Sequence, residues 1–231
     1  MNNYIVATIH PWNIEQFNIY SKEFEGNWYL ISEPSELTGS LLAKIQPKYI
    51  FFPHWSWIVP YEIFSKYTCI CFHMTDLPFG RGGSPLQNLI IRGLKKTKVS
   101  AIKMEQDIDA GPIYVKKELS LSGSAQEIFI RASEIIKDLI LEIITNTPKA
   151  IPQSGKITYF KRRTPNESEI IDNLTEGELY DFIRMLDAPS YPKAFIIHNN
   201  KKIEFSNAKF INGKLTANAI LSELKLKTDY D

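Results

Sequence analysis

The sequence predicts an α/β fold: a Rossmann-like wound, mainly parallel sheet followed by a small, mostly β C-terminal module. Three observations predict it. Tyr4–His10, Tyr49–Pro53 and Thr68–His73 are short runs of almost unbroken apolar residues, which suits strands buried on both faces. Stretches of helical character, Asn13–Phe24 and Ser35–Gln46, separate them and give a βαβ alternation. Composition then shifts near Pro148, and turn-rich short strands follow.

The remaining elements follow in order. "SPLQNLIIRG" predicts a helix that Ser84 caps, Pro85 opens and Gly93 ends. Val99–Met104 reads as a further strand. Ser124–Thr145 reads as a long helix, with Ser124 and Glu127 as a capping box and Ile128, Ala132, Ile135, Leu139 and Ile143 as its inner face. "TPKAIPQSGK", Thr147–Lys156, reads as a linker. Beyond it come a helix at Glu176–Leu186 and strands punctuated by Asn199-Asn200 and Asn212-Gly213. This divides the chain into a catalytic sheet domain, 1–150, and a C-terminal substrate-side module, 151–231. There are no internal repeats.

At 231 residues the chain is long enough to bury a full core. No apolar run reaches the roughly 18 residues that a membrane span needs, and no charged-then-apolar leader opens the chain. Cys69 and Cys71 stand two apart on one strand, so their side chains point the same way and a bridge between them is not expected. Reduced thiols in a cytoplasmic protein fit this. Lys+Arg total 27 against Asp+Glu 26, so no overall positive field recruits nucleic acid, although a local patch is compatible with a neutral total. G-x-G-x-x-G, P-loop and G-x-S-x-G patterns are missing. The histidines at 10, 54, 73 and 198 have no metal-ligand spacing, and no metal is expected.

Two loops carry chemistry. In "CICFHMTDLPFGRGGSPLQ" a strand ends on His73 and hands over to prolines and glycines. In "EQDIDAGP" the strand ending at Met104 releases Glu105, Asp107 and Asp109 before turning at Gly111-Pro112. Ligands of wound sheets bind at carboxyl ends of strands, and both loops follow such ends. An imidazole beside a carboxylate has a fixed tautomer and a raised proton affinity, as acid–base catalysis requires. Taken singly, a histidine after a strand is more often structural than catalytic, and an acidic turn is usually only solvated.

Together they resemble the formyltransferases that use N10-formyltetrahydrofolate. "FHMTDLPFGRGGSPL" is similar to the family's H-x-S-L-L-P-x-x-x-G-x-x-P loop, with His73, Thr75, Leu77, Pro78, Gly82 and Pro85 on its fixed positions. "DIDAGPI" resembles D-[TA]-G-x-I, with its aspartate at Asp109, and "PHWSWIVP" stands where the family has A-Y-G-L-I-L-P. "KRRTPNESEII" and "IRMLDAPSYPKAF" resemble the C-terminal module of the members that formylate nucleotide-linked amino sugars, including the aminoarabinose formyltransferase. The likeness covers about Lys48 to Phe210.

The resemblance implies transfer of a formyl group to a primary amine. His73 would stabilise the developing oxyanion or handle the amine proton, and Asp109 would orient and charge the imidazole. Backbone of Trp57, Ile58 and Val59, with Asp107 and Ile108, would hold the folate donor. Thr75, Arg81, Gly82 and Tyr191 would line the acceptor site, Arg81 as a phosphate contact. The implied acceptor is a UDP- or dTDP-linked 4-amino-4,6-dideoxyhexose, in a pseudaminic-acid-type pathway, handled by a monomer or homodimer with no nucleic-acid or membrane partner. The alternatives are methionyl-tRNA or another amine, and a non-catalytic sugar-nucleotide binding protein. One departure stands out: Cys71 occupies the place of the family's asparagine, whose amide polarises the formyl oxygen. Asn13, His54, Asn88 or a water are candidate substitutes, and a formyl-cysteine route through Cys71 is a further option.

Overall fold

The computed structural model describes residues 1–224. Residues 225–231 of the expected C-terminal module lie outside the described residues. The first strand, β1 (Asn3–Ala7), is shorter than the apolar run that predicts it, because His10 and Pro11 already begin a helix, α1 (Pro11–Glu23). Trp12, Asn13, Phe17 and Tyr20 form the buried face of α1. β2 (Asn27–Ile31) was not expected from the sequence. It is an edge strand, so its residues alternate between cover and solvent and lack the unbroken apolar pattern. α2 (Gly39–Ile45) is capped by Thr38, which accepts from the Leu41 N–H. β3 (Tyr49–Pro53), a single helical turn α3 (Tyr61–Phe64) and β4 (Cys69–His73) follow.

After β4 the chain forms β5 (Arg81–Gly82), α4 (Pro85–Ile91), β6 (Lys96–Lys103), β7 (Ile113–Ser120) and α5 (Ala125–Asn146). The capping box on α5 is present in both directions, Ser124 to Glu127 and back. β7, the other edge strand, was also not expected, since Lys116, Lys117 and Glu118 interrupt its apolar pattern. The last elements are β8 (Tyr159–Phe160), α6 (Glu176–Arg184), β9 (Ala194–His198), β10 (Lys201–Ile211) and β11 (Lys214–Glu223).

The main sheet has six strands in the order β2-β1-β3-β4-β6-β7. The first four are parallel; β6 runs antiparallel to both its neighbours. One face packs against α1 and α5, burying Val6, Phe51, Ile70, Phe72 and Leu139. Phe160, Phe182, Ile183, Leu186 and Ala194 from beyond Pro148 belong to this same cluster. The opposite face packs Ile5, Ile50, Phe52 and Cys69 against Leu42, Ile45 and Ile63 of α2 and α3. A fully buried side chain such as Ile5 or Phe51 stabilises the fold by about 1.5–3 kcal/mol. A second sheet, β11-β10-β9, is antiparallel. Its Asn199-Asn200 and Asn212-Gly213 links have positive φ at both residues, as two-residue hairpin turns require.

The reversal of β6 corrects one expectation. His73 and the acidic loop each follow the carboxyl end of a strand, but the two strands are opposed, so they leave the sheet at opposite ends. The backbone N–H of Met104 bonds the Cys69 carbonyl, at the amino end of β4, while His73 lies opposite Ser100. The loop folds back along the face that carries Cys69, Cys71 and His73, and so brings Asp109 to His73. The expected linker is also part of the fold: Ile151 exchanges both backbone hydrogen bonds with Ile113.

Candidate active site

His73 is the last residue of β4, and its side chain is 8% exposed. Its Nε2–H donates to the Gly80 carbonyl at 2.7 Å, and its Nδ1 stands 3.4 Å from Asp109 Oδ2. Both ring nitrogens therefore face oxygen acceptors. With Nε2 donating to Gly80, Nδ1 faces the Asp109 carboxylate, the arrangement by which a carboxylate orients an imidazole. The Asp109 Oδ2 also accepts from the Gly82 N–H at 2.9 Å.

The glycine loop holds this geometry through a short parallel pairing. β5 lies beside β8, with Arg81 N–H on the Thr158 carbonyl and Gly83 N–H on the Phe160 carbonyl. Gly82 has φ +103, and a Cβ there would meet the Phe160 carbonyl oxygen at 2.5 Å. Only glycine lets the backbone pass so close to β8 and present its N–H to Asp109. The Leu77–Pro78 peptide in the same loop is cis.

Several expected site residues have other roles. Thr75, expected against the acceptor, is fully buried, and its hydroxyl donates to the Gly80 carbonyl beneath the loop. Arg81, expected as a solvent-facing phosphate contact, is 9% exposed, and its Nε and Nη2 both donate to Gln153 Oε1. Ser84 precedes α4 in a left-handed conformation and caps it with no side-chain bond; its hydroxyl instead accepts from the Arg163 N–H. Gln153, inside the stretch read as a linker, also donates to the Asp109 and Gly111 carbonyls. No sequence signal marked it, because its role depends on where the chain returns after α5.

Tyr191, the last of the expected acceptor residues, stacks on Phe129 and bonds His54 Nε2 through its hydroxyl at 2.8 Å. His54 in turn lies tilted against His10, ring centroids 3.9 Å apart. Burial and then the neighbouring His10 push His54 down to about 3, and burial lowers His10 as well, so both rings stay neutral. Of the candidates to replace the family's asparagine, His54 is thus paired with Tyr191. Asn88 is engaged by the Gly83, Ser84 and Lys161 carbonyls, and Asn13 reaches the Pro53 carbonyl. Cys69 and Cys71 are both free thiols. Burial, and then the Asp109 carboxylate, push the Cys71 thiol well above its ordinary range. It is a neutral thiol at pH 7, which removes the thiolate that a formyl-cysteine route needs.

Two loops border this face of the sheet. Trp55 and Met104, which flank them, pack against the same cluster as Cys71. Val59 is buried and anchors the first loop, while Trp57 and Ile58 are 44% and 88% exposed. On the second loop Ile108 is 69% exposed and Asp107 is exposed. Uncovered apolar side chains beside a polar pair suit a flat, largely apolar ligand with a polar edge. No group of three or more His, Cys, Asp or Glu side chains among the described residues has metal-site geometry. No described helix is long and apolar enough to cross a membrane.

Comparison with known proteins adds the family context. A model of the methionyl-tRNA formyltransferase C-terminal domain matches residues 165–222. The chain is 27% identical over 223 residues to the methionyl-tRNA formyltransferase of Rickettsia massiliae (strain Mtu5), covering 91% of this chain and 73% of that one. Across the first curated relatives it spans only 59–73% of their length. Its structure is similar to that of a methionyl-tRNA formyltransferase from Clostridium thermocellum, with 50% identity and a TM-score of 0.94, covering 96% of this chain and 100% of that chain. A 4-N formyltransferase from Francisella tularensis, at 18% identity, TM-score 0.69 and coverage of 95% and 97%, shares the fold.

Proposed function

The chain belongs to the formyltransferase family, and from that premise we propose that its His73–Asp109 site transfers a formyl group from N10-formyltetrahydrofolate to the amine of methionyl-tRNA. The observation that carries the reaction is the pairing itself. Two loops matched separately to family motifs meet at 3.4 Å, under a glycine loop whose N–H holds the carboxylate. The donor, when bound, supplies an activated formyl carbon; Trp57, Ile58, Asp107 and Ile108 would hold it. His73 takes up the proton that the attacking amine sheds, while Asp109 balances the charge then carried by the imidazole. That proton passes to N10 as the formyl C–N10 bond breaks and tetrahydrofolate leaves.

The acceptor choice departs from the amino-sugar reading of the C-terminal motifs. The half-identical relative and the curated relatives are named for methionyl-tRNA, and the 4-N formyltransferase shares the fold alone. A tRNA needs cations near the site despite the formal net charge of +1. Arg92, Lys161 and Arg162 are exposed around Gly83: Lys161 receives Asn88, and the Arg162 Cβ would lie 2.4 Å from a Cβ on Gly83. The overall charge balance favours a second reading, a nucleotide-linked amino sugar, which offers only two phosphates.

One experiment separates them. The full chain is incubated with N10-formyltetrahydrofolate and either methionyl-tRNA or a UDP- or dTDP-linked 4-amino sugar, and formyl addition is read by mass. With methionyl-tRNA, kcat/KM is expected to fall by about 10-fold or more between low and physiological salt. A rate confined to the sugar nucleotide, with salt dependence under about 3-fold, selects the second reading. Formylation of neither acceptor removes both.

The same assay tests Cys71. Cys71→Ser and Cys71→Ala are expected to keep kcat within about 5-fold, since a neutral, desolvated thiol is a packing group there. Cys71→Asn, which adds an amide donor beside Asp109, is expected to hold or raise kcat. Complete loss in Cys71→Ser would instead make the sulfur a participant.

A further inference from the structure

We propose that Gln153 is a positioning residue for Asp109, and that Arg81 holds Gln153 to that role. The proposal rests on the formyl-transfer reading of the His73–Asp109 site. Asp109 has φ +53, a left-handed conformation that aspartate tolerates but does not prefer. Its carbonyl accepts from Gln153 Nε2 at 2.8 Å, and the Gly111 carbonyl accepts from the same nitrogen at 2.9 Å. One amide thus clamps both sides of the turn that presents the carboxylate.

The other end of that amide is fixed too. Gln153 Oε1 accepts from Arg81 Nε at 3.1 Å and Nη2 at 2.8 Å. These contacts set the amide orientation. Turned over, the NH2 group would face a guanidinium and the oxygen would face two carbonyls, so all four contacts would repel. Among side chains of this length, only a carboxamide joins a cation to two carbonyl oxygens.

Arg81 has no carboxylate within ion-pair distance among the described residues, although it is buried. Its neighbours explain its place. The Gly80 carbonyl receives His73, and the Gly82 N–H reaches the Asp109 carboxylate. Three consecutive residues of the glycine loop therefore each hold one part of the pair: the imidazole, the Asp109 backbone through Gln153, and the carboxylate. Without the Gln153 donors the turn relaxes, and Oδ2 moves off its line to His73.

The test uses Gln153→Glu in the full chain. This change keeps an acceptor for Arg81, now as an ion pair, and removes both donors to the turn. Expected results are a kcat about 30-fold or more below wild type, a KM for the donor within about 3-fold, and a thermal midpoint within a few degrees. In an Asp109→Asn background the same substitution is expected to lower kcat no further. A readout independent of turnover is hydrogen exchange at the Gly82 amide, expected to speed up about 10-fold or more in Gln153→Glu. Faster Gly82 exchange in a protein that formylates no acceptor would uphold the positioning role and defeat the functional reading alone. Unchanged exchange with kcat within about 3-fold of wild type overturns the proposal. Should Gln153→Glu fold poorly, Arg81→Lys carries the test, with a smaller shift in both readouts expected and no shift in either counting against it.

Discussion

His73→Ala is expected to lower kcat by about 100-fold or more, and Asp109→Asn by a similar factor, with each variant folded as judged by circular dichroism. The structure makes both changes interpretable. The Gly80 carbonyl, which receives His73, also receives the Thr75 hydroxyl, so the loop keeps one of its two bonds when the imidazole is removed. An asparagine at 109 tolerates the left-handed backbone and can still accept from the Gly82 N–H. It removes the charge while keeping the shape. The two losses should not add: once the imidazole is gone, the carboxylate has nothing to orient, so the double variant should resemble His73→Ala. Near-normal turnover in either folded single variant would exclude the proton-transfer role.

The parts of this protein that were readable from sequence share a physical trait. β3, β4 and α5 are set by local pattern: unbroken apolar runs at the sheet centre, and a capping box before a 3.6-residue stripe. The hairpin turns at Asn199-Asn200 and Asn212-Gly213 were equally local. What escaped were the edges. β2 and β7 each have one neighbour, so their outer residues answer to solvent and the apolar pattern breaks.

The site divides in the same way. His73 and Asp109 stand out in the sequence because each sits in a loop of unusual composition, and the structure brings them within 3.4 Å. The direction of approach was not legible. Strand polarity is a tertiary property, and a reversed β6 sends its loop back across the sheet face. Thr75 and Arg81 were singled out by their places in the resembling loop, and a place in a motif does not say which way a tight loop turns a side chain, here inward. Gln153 was invisible for a related reason: its four contacts lie 42 to 72 residues away in sequence.

Gly111→Ala is expected to cost about 3 kcal/mol or more of stability, and with it most of the activity. Gly111 follows the Asp109 turn and precedes the pairing of Lys103 N–H with the Pro112 carbonyl. A Cβ at Gly111 would lie 1.8 Å from the Lys103 carbonyl oxygen. That oxygen is backbone at the end of β6, so no side-chain rotation relieves the contact, and the two chains must separate. Separation breaks the β6–β7 register where it is already irregular, at Ala101 and Ile102, and pulls the Gly111 carbonyl from Gln153. The effect should therefore appear twice: as a thermal midpoint lower by about 6–10 °C, and as lost turnover in the fraction still folded. Gly213→Ala is the control. It has φ +75 but nothing within 4 Å of its Cβ position, so only the left-handed strain of about 1–2 kcal/mol applies, in the turn between β10 and β11, and turnover should be retained. Equal midpoints for the two variants, or normal turnover in Gly111→Ala, would mean that the turn can shift without moving Asp109.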